Sequence, residues 1–216
     1  SATTANLPAD RGFGQLEAAG GTLYYVGGQN DGATAQTDVY YGTPSSGDVA
    51  SWSTASNGLP AARTEISAAV WNNRIYVTGG QTGGTTQTNV YYSPSQSSGG
   101  DIASAWTSGT AFNVARSGTT TVAYANNLYI LGGYDGTNYL NDTQFTQINS
   151  DGSVDAWTYS TSLPLALRQG DGFAANGYIY LFGGRSAATT CESKTLVAPI
   201  SANTTIASGN NPTGVG

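Results

Sequence analysis

Asn73-Arg74-Ile75-Tyr76-Val77-Thr78-Gly79-Gly80 decides the reading of this chain, because near-copies of it recur along the sequence. They are Leu23-Tyr24-Tyr25-Val26-Gly27-Gly28, Leu128-Tyr129-Ile130-Leu131-Gly132-Gly133 and Ile179-Tyr180-Leu181-Phe182-Gly183-Gly184. Successive first glycines stand 52, 53 and 51 residues apart. A fixed period of this size marks a repeat architecture in which each unit buries its apolar face against the next.

Other landmarks keep the same order. Pro8, Pro60, Asn113 and Pro164 each lie 19 residues before a first glycine, and an arginine follows each of them: Arg11, Arg63, Arg116 and Arg168. After the glycines come Tyr40-Tyr41, Tyr91-Tyr92, Phe145-Thr146 and Leu196-Val197. Trp52, Trp106 and Trp157 then fall 24 to 26 residues past the second glycine, where the last copy has Gly209.

Each repeat parses into four strands. An alternating run such as Glu65–Val70 or Thr119–Tyr124 comes first. The turn after it is Gly20-Gly21, Asn72-Asn73, Asn126-Asn127 or Asn176-Gly177, pairs that tolerate the positive φ of tight hairpins. The apolar run into the glycine pair is the second strand, continuous enough to be buried on both faces. Its glycines let backbone approach where a Cβ would collide. Asp38-Val39-Tyr40-Tyr41 and Asn89-Val90-Tyr91-Tyr92 begin third strands, and the tryptophans belong to fourth strands. No stretch has a 3.6-residue apolar period. The expectation is an all-β propeller with four-stranded antiparallel blades near residues 9–59, 60–112, 113–163 and 164–216, in one array over residues 1–216.

Leu-Pro-x-x-Arg, an apolar strand, Ile-Tyr-Val-x-Gly-Gly, an aromatic pair and then tryptophan resemble the kelch repeat along the whole chain. The tyrosine-to-tryptophan interval exceeds the usual kelch spacing, which implies an extended outer hairpin. Kelch propellers usually have six or seven blades, and this chain supplies four. The stretch from Ser1 to Pro8 aligns with Ser53 to Pro60, and residues 207–214 run to a similar phase. Ser1-Ala2-Thr3-Thr4 reads as the start of a processed or excised chain. An arc of a larger propeller, a closed four-bladed ring and half of a dimeric ring all fit. Open edges would invite aggregation, which favours covered ends.

Composition narrows the chemistry. Only 9% of the 216 residues are charged, with a net charge of −6, which argues against nucleic acid as a partner. No apolar run is long enough to span a membrane as a helix. Histidine is absent, which removes the Ser-His-Asp triad and most zinc or copper sites. A galactose-oxidase-type copper site is therefore not implied by the resemblance. Cys191 is alone, so it forms no internal disulfide and reads as an inert small residue. Asp151-Gly152 and Asp31-Gly32 are turn chemistry rather than calcium loops. No cofactor and no metal are expected.

Two enzyme-free roles and one enzymatic one follow. Arg11, Arg63, Arg116 and Arg168 make up four of seven cations. As staples they would hydrogen-bond local carbonyls. As a ring of donors they would receive carboxylates or acidic peptides. The kelch resemblance implies that arginines in this part of the repeat can line the ligand pocket. The expected role is a non-enzymatic extracellular or cell-surface module that binds a protein or glycan through an arginine-lined axial face. Its alternative is a building block of a surface layer or filament that binds copies of itself. A two-carboxylate glycoside hydrolase drawing on Glu17, Glu65 and Asp171 is the third reading. Asn141-Asp142-Thr143 and Asn203-Thr204-Thr205 match the N-glycosylation acceptor.

Overall fold

The computed structural model describes residues 5–96 and 100–200, so Ser1–Thr4, Asn203 and Gly209 lie outside the described residues. The fold is a four-blade β-propeller, and no helix occurs among the described residues. Blade 1 is a meander of β1 (Gln15–Ala19), β2 (Thr22–Val26), β3 (Val39–Gly42) and β4 (Ser53–Thr54). Blade 2 has β5 (Ser67–Trp71) and β6 (Arg74–Thr78), then a small hairpin of β7 (Gln81–Thr82) and β8 (Thr85–Thr86). It ends with β9 (Val90–Tyr92) and β10 (Thr107–Gly109).

Blade 3 runs β11 (Thr120–Tyr124), β12 (Asn127–Tyr134), β13 (Tyr139–Gln147) and β14 (Thr158–Ser160). Blade 4 holds β15 (Asp171–Ala175) and β16 (Tyr178–Phe182), a hairpin of β17 (Arg185–Ala187) and β18 (Thr190–Cys191), and β19 (Thr195–Pro199). Its sheet is three-stranded among the described residues, in the order β15-β16-β19.

Local chemistry explains the regular parts. The inner hairpins are closed by positive-φ pairs: Gly20-Gly21, Asn72-Asn73, Ala125-Asn126 and Asn176-Gly177. In blade 3 the turn lies one residue earlier than the Asn126-Asn127 expected, because Asn127 already pairs with Tyr124. An alanine at φ 48 therefore fills a place that asparagine or glycine holds elsewhere. The tryptophans also differ from expectation: Trp52, Trp106 and Trp157 immediately precede β4, β10 and the β14 strand rather than lying inside them.

The core lies between blades. Ala19, Tyr24 and Val26 of blade 1 pack with Ala68, Ile75 and Val77 of blade 2. Ala69 and Tyr76 of blade 2 join Leu128 and Ile130 of blade 3, and Val122, Tyr129 and Leu131 join Ile179 and Leu181 of blade 4. At these three junctions one face of a blade thus packs on the opposite face of the blade that follows it. Trp106 and Trp157 reach back similarly, their indole N–H groups donating to the carbonyls of Asn57 and Thr110.

Four backbone hydrogen bonds recur at each of these junctions. Between blades 1 and 2, Leu59 N–H donates to Thr37 and Arg63 N–H to Gln36, while Gly28 N–H donates to Arg63 and Glu65 N–H to Phe13. Phe112, Arg116, Gly80 and Gly118 repeat the set between blades 2 and 3, and Leu163, Leu167, Gly133 and Gln169 between blades 3 and 4. The glycine pairs are essential to this contact. A Cβ on Gly79 or Gly132 would meet the carbonyl oxygen of Arg116 or Leu167 well inside van der Waals contact. No bond of this set joins blade 4 to blade 1 among the described residues.

Candidate functional site

The first strands of all four blades surround an axial channel of about 710 Å³. Phe13, Glu65, Gly118 and Gln169 mark one mouth, each at positive φ between 50 and 57. The bonds from Glu65 to Phe13, from Gly118 to Glu65 and from Gln169 to Gly118 string backbone around that mouth. Ser67 and Thr119 to Thr121 give the wall hydroxyls, although Ser67 Oγ is occupied by Thr121 N–H at 2.8 Å.

Glu17, Glu65 and Asp171 all line this one channel. In the sequence they belong to three different repeats; the ring brings them together because β1, β15 and the lead-in to β5 converge on the axis. Glu17 is half-buried, and burial, with a smaller push from the Asp171 charge, lifts its carboxyl to about 7. Glu65 is already engaged: its Oε2 accepts from Ser117 Oγ at 2.9 Å and from the Arg168 guanidinium. That pair spans blades 2 and 4 at the mouth. Among the described residues no cluster of carboxylates or cysteine is placed to hold a metal ion.

The arginines do not form one equivalent set. Arg11 pairs with Asp38 and Arg116 with Asp142, and Arg63 donates to Asn89 Oδ1 at 2.9 Å and to the Tyr91 hydroxyl at 3.0 Å. Asp38, Asn89 and Asp142 stand at one register position of the repeat: Asp38 and Asn89 directly precede β3 and β9, and Asp142 lies within β13. Arg116 is wholly buried and also donates to the carbonyls of Val114 and Gly132. Carbonyls of Asp10 and Ala62 accept from Arg11 and Arg63. These three guanidinium groups are turned into their own blades as staples.

Arg168 is one residue out of phase. It bridges to Arg185, as Gly12, Thr64 and Ser117 bridge to Gln29, Gln81 and Tyr134. Leu167 holds the place of the other arginines, and its carbonyl receives Gly133. The exchange is compensated: where blades 1 to 3 have Asp38, Asn89 and Asp142, blade 4 has Lys194, which pairs with Glu192 at 3.2 Å. Buried Leu167 packs with Leu196 instead. Arg168 is thereby released toward Glu65, with its guanidinium 4.8 Å from the Tyr134 ring centre. The sequence carried a signal of this. Arg11, Arg63 and Arg116 lie 16 residues before their first glycines and Arg168 lies 15.

The family model described as the KLHDC2/KLHL20/DRC7 Kelch-repeats domain matches residues 14–204. This chain belongs to the kelch-repeat family. No curated protein matches it as a relative. Kelch propellers are generally non-enzymatic protein-interaction domains.

Proposed function

We propose that this kelch propeller is a protein-binding module whose axial channel takes a basic peptide segment. The carrying observation is the lining: Glu17 and Asp171 face the channel without a basic partner among the described ion pairs, whereas the staple arginines are engaged within the chain. An arginine-lined face would favour an acidic ligand; with these guanidinium groups occupied, the recognising charge passes to the carboxylates. Lysine or arginine side chains then gain charge-assisted hydrogen bonds in a partly dry site. The aromatic ring of Phe13 at the mouth adds apolar contact.

Titration calorimetry with a lysine-rich peptide and an acidic peptide of equal length tests this. Binding of the basic peptide alone is expected, and Glu17→Gln with Asp171→Asn should weaken it by ~1–3 kcal/mol per lost contact. Preference for the acidic peptide, or indifference to both substitutions, would overturn the reading. The same proposal sets the module outside the cell, supported by its 9% charged content and by exposed Asn141 of the Asn141-Asp142-Thr143 acceptor. Expression in a glycosylating host, with a mass increment lost in Asn141→Gln, tests that part.

The convergence of Glu17 and Asp171 also supports a two-carboxylate hydrolase as a second reading, with Glu17 as the protonated acid near neutral pH. Turnover of glycan substrates that disappears in Glu17→Gln would favour it over peptide binding.

A further inference from the structure

We propose that the Glu65 carboxylate, the Tyr134 ring and the floor at Gly118 form a seat for an arginine of the bound peptide, which the Arg168 guanidinium occupies in the free protein. The proposal rests on the channel taking a basic segment; it adds which basic residue is selected and what that residue displaces.

Arg168 stands where the repeat needs no long side chain. The residues that make the same bridge in blades 1 to 3 are Gly12, Thr64 and Ser117. The Arg168 backbone is held by two bonds with Arg185, and Leu167 and Gln169 on either side carry the recurring bonds to blade 3. Blade 4 is therefore fixed to blade 3 before any guanidinium is counted.

The guanidinium is also bonded unlike the staples. Among the described residues Arg63 donates to four acceptors, the Ala62 carbonyl, Thr82 Oγ1, Asn89 Oδ1 and the Tyr91 hydroxyl. Arg116 reaches four as well, the Val114 and Gly132 carbonyls and both Asp142 oxygens. Arg168 donates to one, Glu65 Oε2, and its buried Nε has no acceptor. A side chain bonded once at the edge of a channel is released at far lower cost than one bonded four times inside a blade.

The place that Arg168 fills suits a planar cation. Gly118 is the one residue of the four at the mouth without a side chain, and the arginine crosses it. A Cβ there would lie 3.3 Å from Arg168 Nε and 3.1 Å from Gln169 Cγ. The Tyr134 ring centre stands 4.8 Å from the guanidinium carbon. That ring is itself fixed, its hydroxyl donating to the Gly136 carbonyl at 2.9 Å and its edge packed by Tyr139 at 5.4 Å between centres. Glu65 closes the end of the seat, oriented by Ser117 Oγ at 2.9 Å. A carboxylate, an aromatic face and a flat floor together select a guanidinium over an ammonium, whose compact hydrated charge presents no plane and no fork.

Of the three carboxylates that line the channel, Arg168 engages Glu65 alone. Glu65 Oε1 accepts no hydrogen bond among the described residues, so an arginine arriving along the channel can bond both oxygens where Arg168 reaches one. Arg168 is then an internal competitor. It lowers the apparent affinity in proportion to the fraction of molecules whose seat is vacant.

Arg168→Ser, which copies the residue at this place in blade 3, empties the seat. Titration calorimetry compares a lysine-rich peptide with the same peptide carrying one central arginine. The arginine peptide should bind Arg168→Ser about five-fold or more tighter than wild type, with a smaller gain for the lysine peptide. Adding Glu65→Gln should abolish the gain. Unchanged or weaker binding by folded Arg168→Ser, or a gain that survives Glu65→Gln, would refute the internal competitor. Equal gains for the two peptides would refute the preference for arginine. Thermal unfolding with millimolar methylguanidinium reads the seat without a peptide: the midpoint should rise in Arg168→Ser and stay unchanged once Glu65→Gln is added. A rise without binding of either peptide would leave the seat standing and end the peptide reading. Peptide binding that Glu17→Gln weakens but Arg168→Ser does not alter would end the seat alone. Arg168→Gln replaces Arg168→Ser throughout if the serine variant does not fold.

Discussion

The junction between blades 2 and 3 and the seam between blades 4 and 1 are built from the same repeat positions, yet only one is filled. At the first, Gly80 N–H donates to Arg116, Phe112 N–H to Thr88, and Gly79 lies against the Arg116 carbonyl. β6 and β12 are accordingly buried on nearly every side chain, as their continuous apolar runs suggested. At the second, β16 alternates between exposed and buried residues, although its sequence is just as apolar. An inner strand of a propeller is therefore dry on both faces only where a blade lies on each side. Apolarity states what a strand can bury; the neighbour decides what it does bury.

Removing a staple from a filled junction should produce the largest difference between the regions. Arg116→Ala leaves Asp142 without its buried partner and should cost ~3–5 kcal/mol in urea unfolding. Arg168→Ala, near the channel mouth, should cost only about 1 kcal/mol. Equal losses would break the distinction between in-phase and out-of-phase arginines.

The glycines sharpen the same comparison. Gly79→Ala and Gly132→Ala combine left-handed strain with a collision against carbonyl oxygen, and together these should cost ~2–4 kcal/mol. Gly183→Ala keeps the strain, at φ 58, but its Cβ makes only an ordinary contact with the Glu192 carbonyl at 3.4 Å, so ~1–2 kcal/mol is expected. Thermal unfolding of the three variants checks the order.

Amide exchange should follow the junctions. Protection is expected to be highest in β6 and β12 and lower in β16 and β19, where one face lacks a neighbouring blade. Uniform protection would mean that the seam is covered after all.

A pH effect of about 1 kcal/mol, moderated by water in the open channel, is the smallest expected. The Glu17 carboxyl lies at about 7 in the fold against an ordinary 4.5. Between these values the folded state binds more protons than the unfolded one, so stability should fall as pH rises from about 4.5 to 7 and level beyond it. Glu17→Gln should flatten that slope. An unchanged slope would remove Glu17 from the channel's electrostatics.

Much of this protein was determined locally and so was legible in its sequence. The 51- to 53-residue period, the positive-φ turn pairs and the glycine pairs each follow from backbone sterics that a few residues fix by themselves. The Ala125-Asn126 turn was harder to place, since Asn127 resembles a turn residue until Tyr124 pairs with it. Arg168 looked equivalent to Arg11, Arg63 and Arg116 because residue type is visible in a sequence and strand phase is not. A spacing shorter by one residue turns its side chain from the blade to the channel mouth. The convergence of Glu17, Glu65 and Asp171 could not be read from positions so far apart in the chain. It arises because each blade places its first strand on the common axis, and charges brought there lose water and act on one another. The open seam likewise belongs to the tertiary structure: the sequence supplied the same half-junction at every repeat, and only the arrangement of blades decided which halves meet.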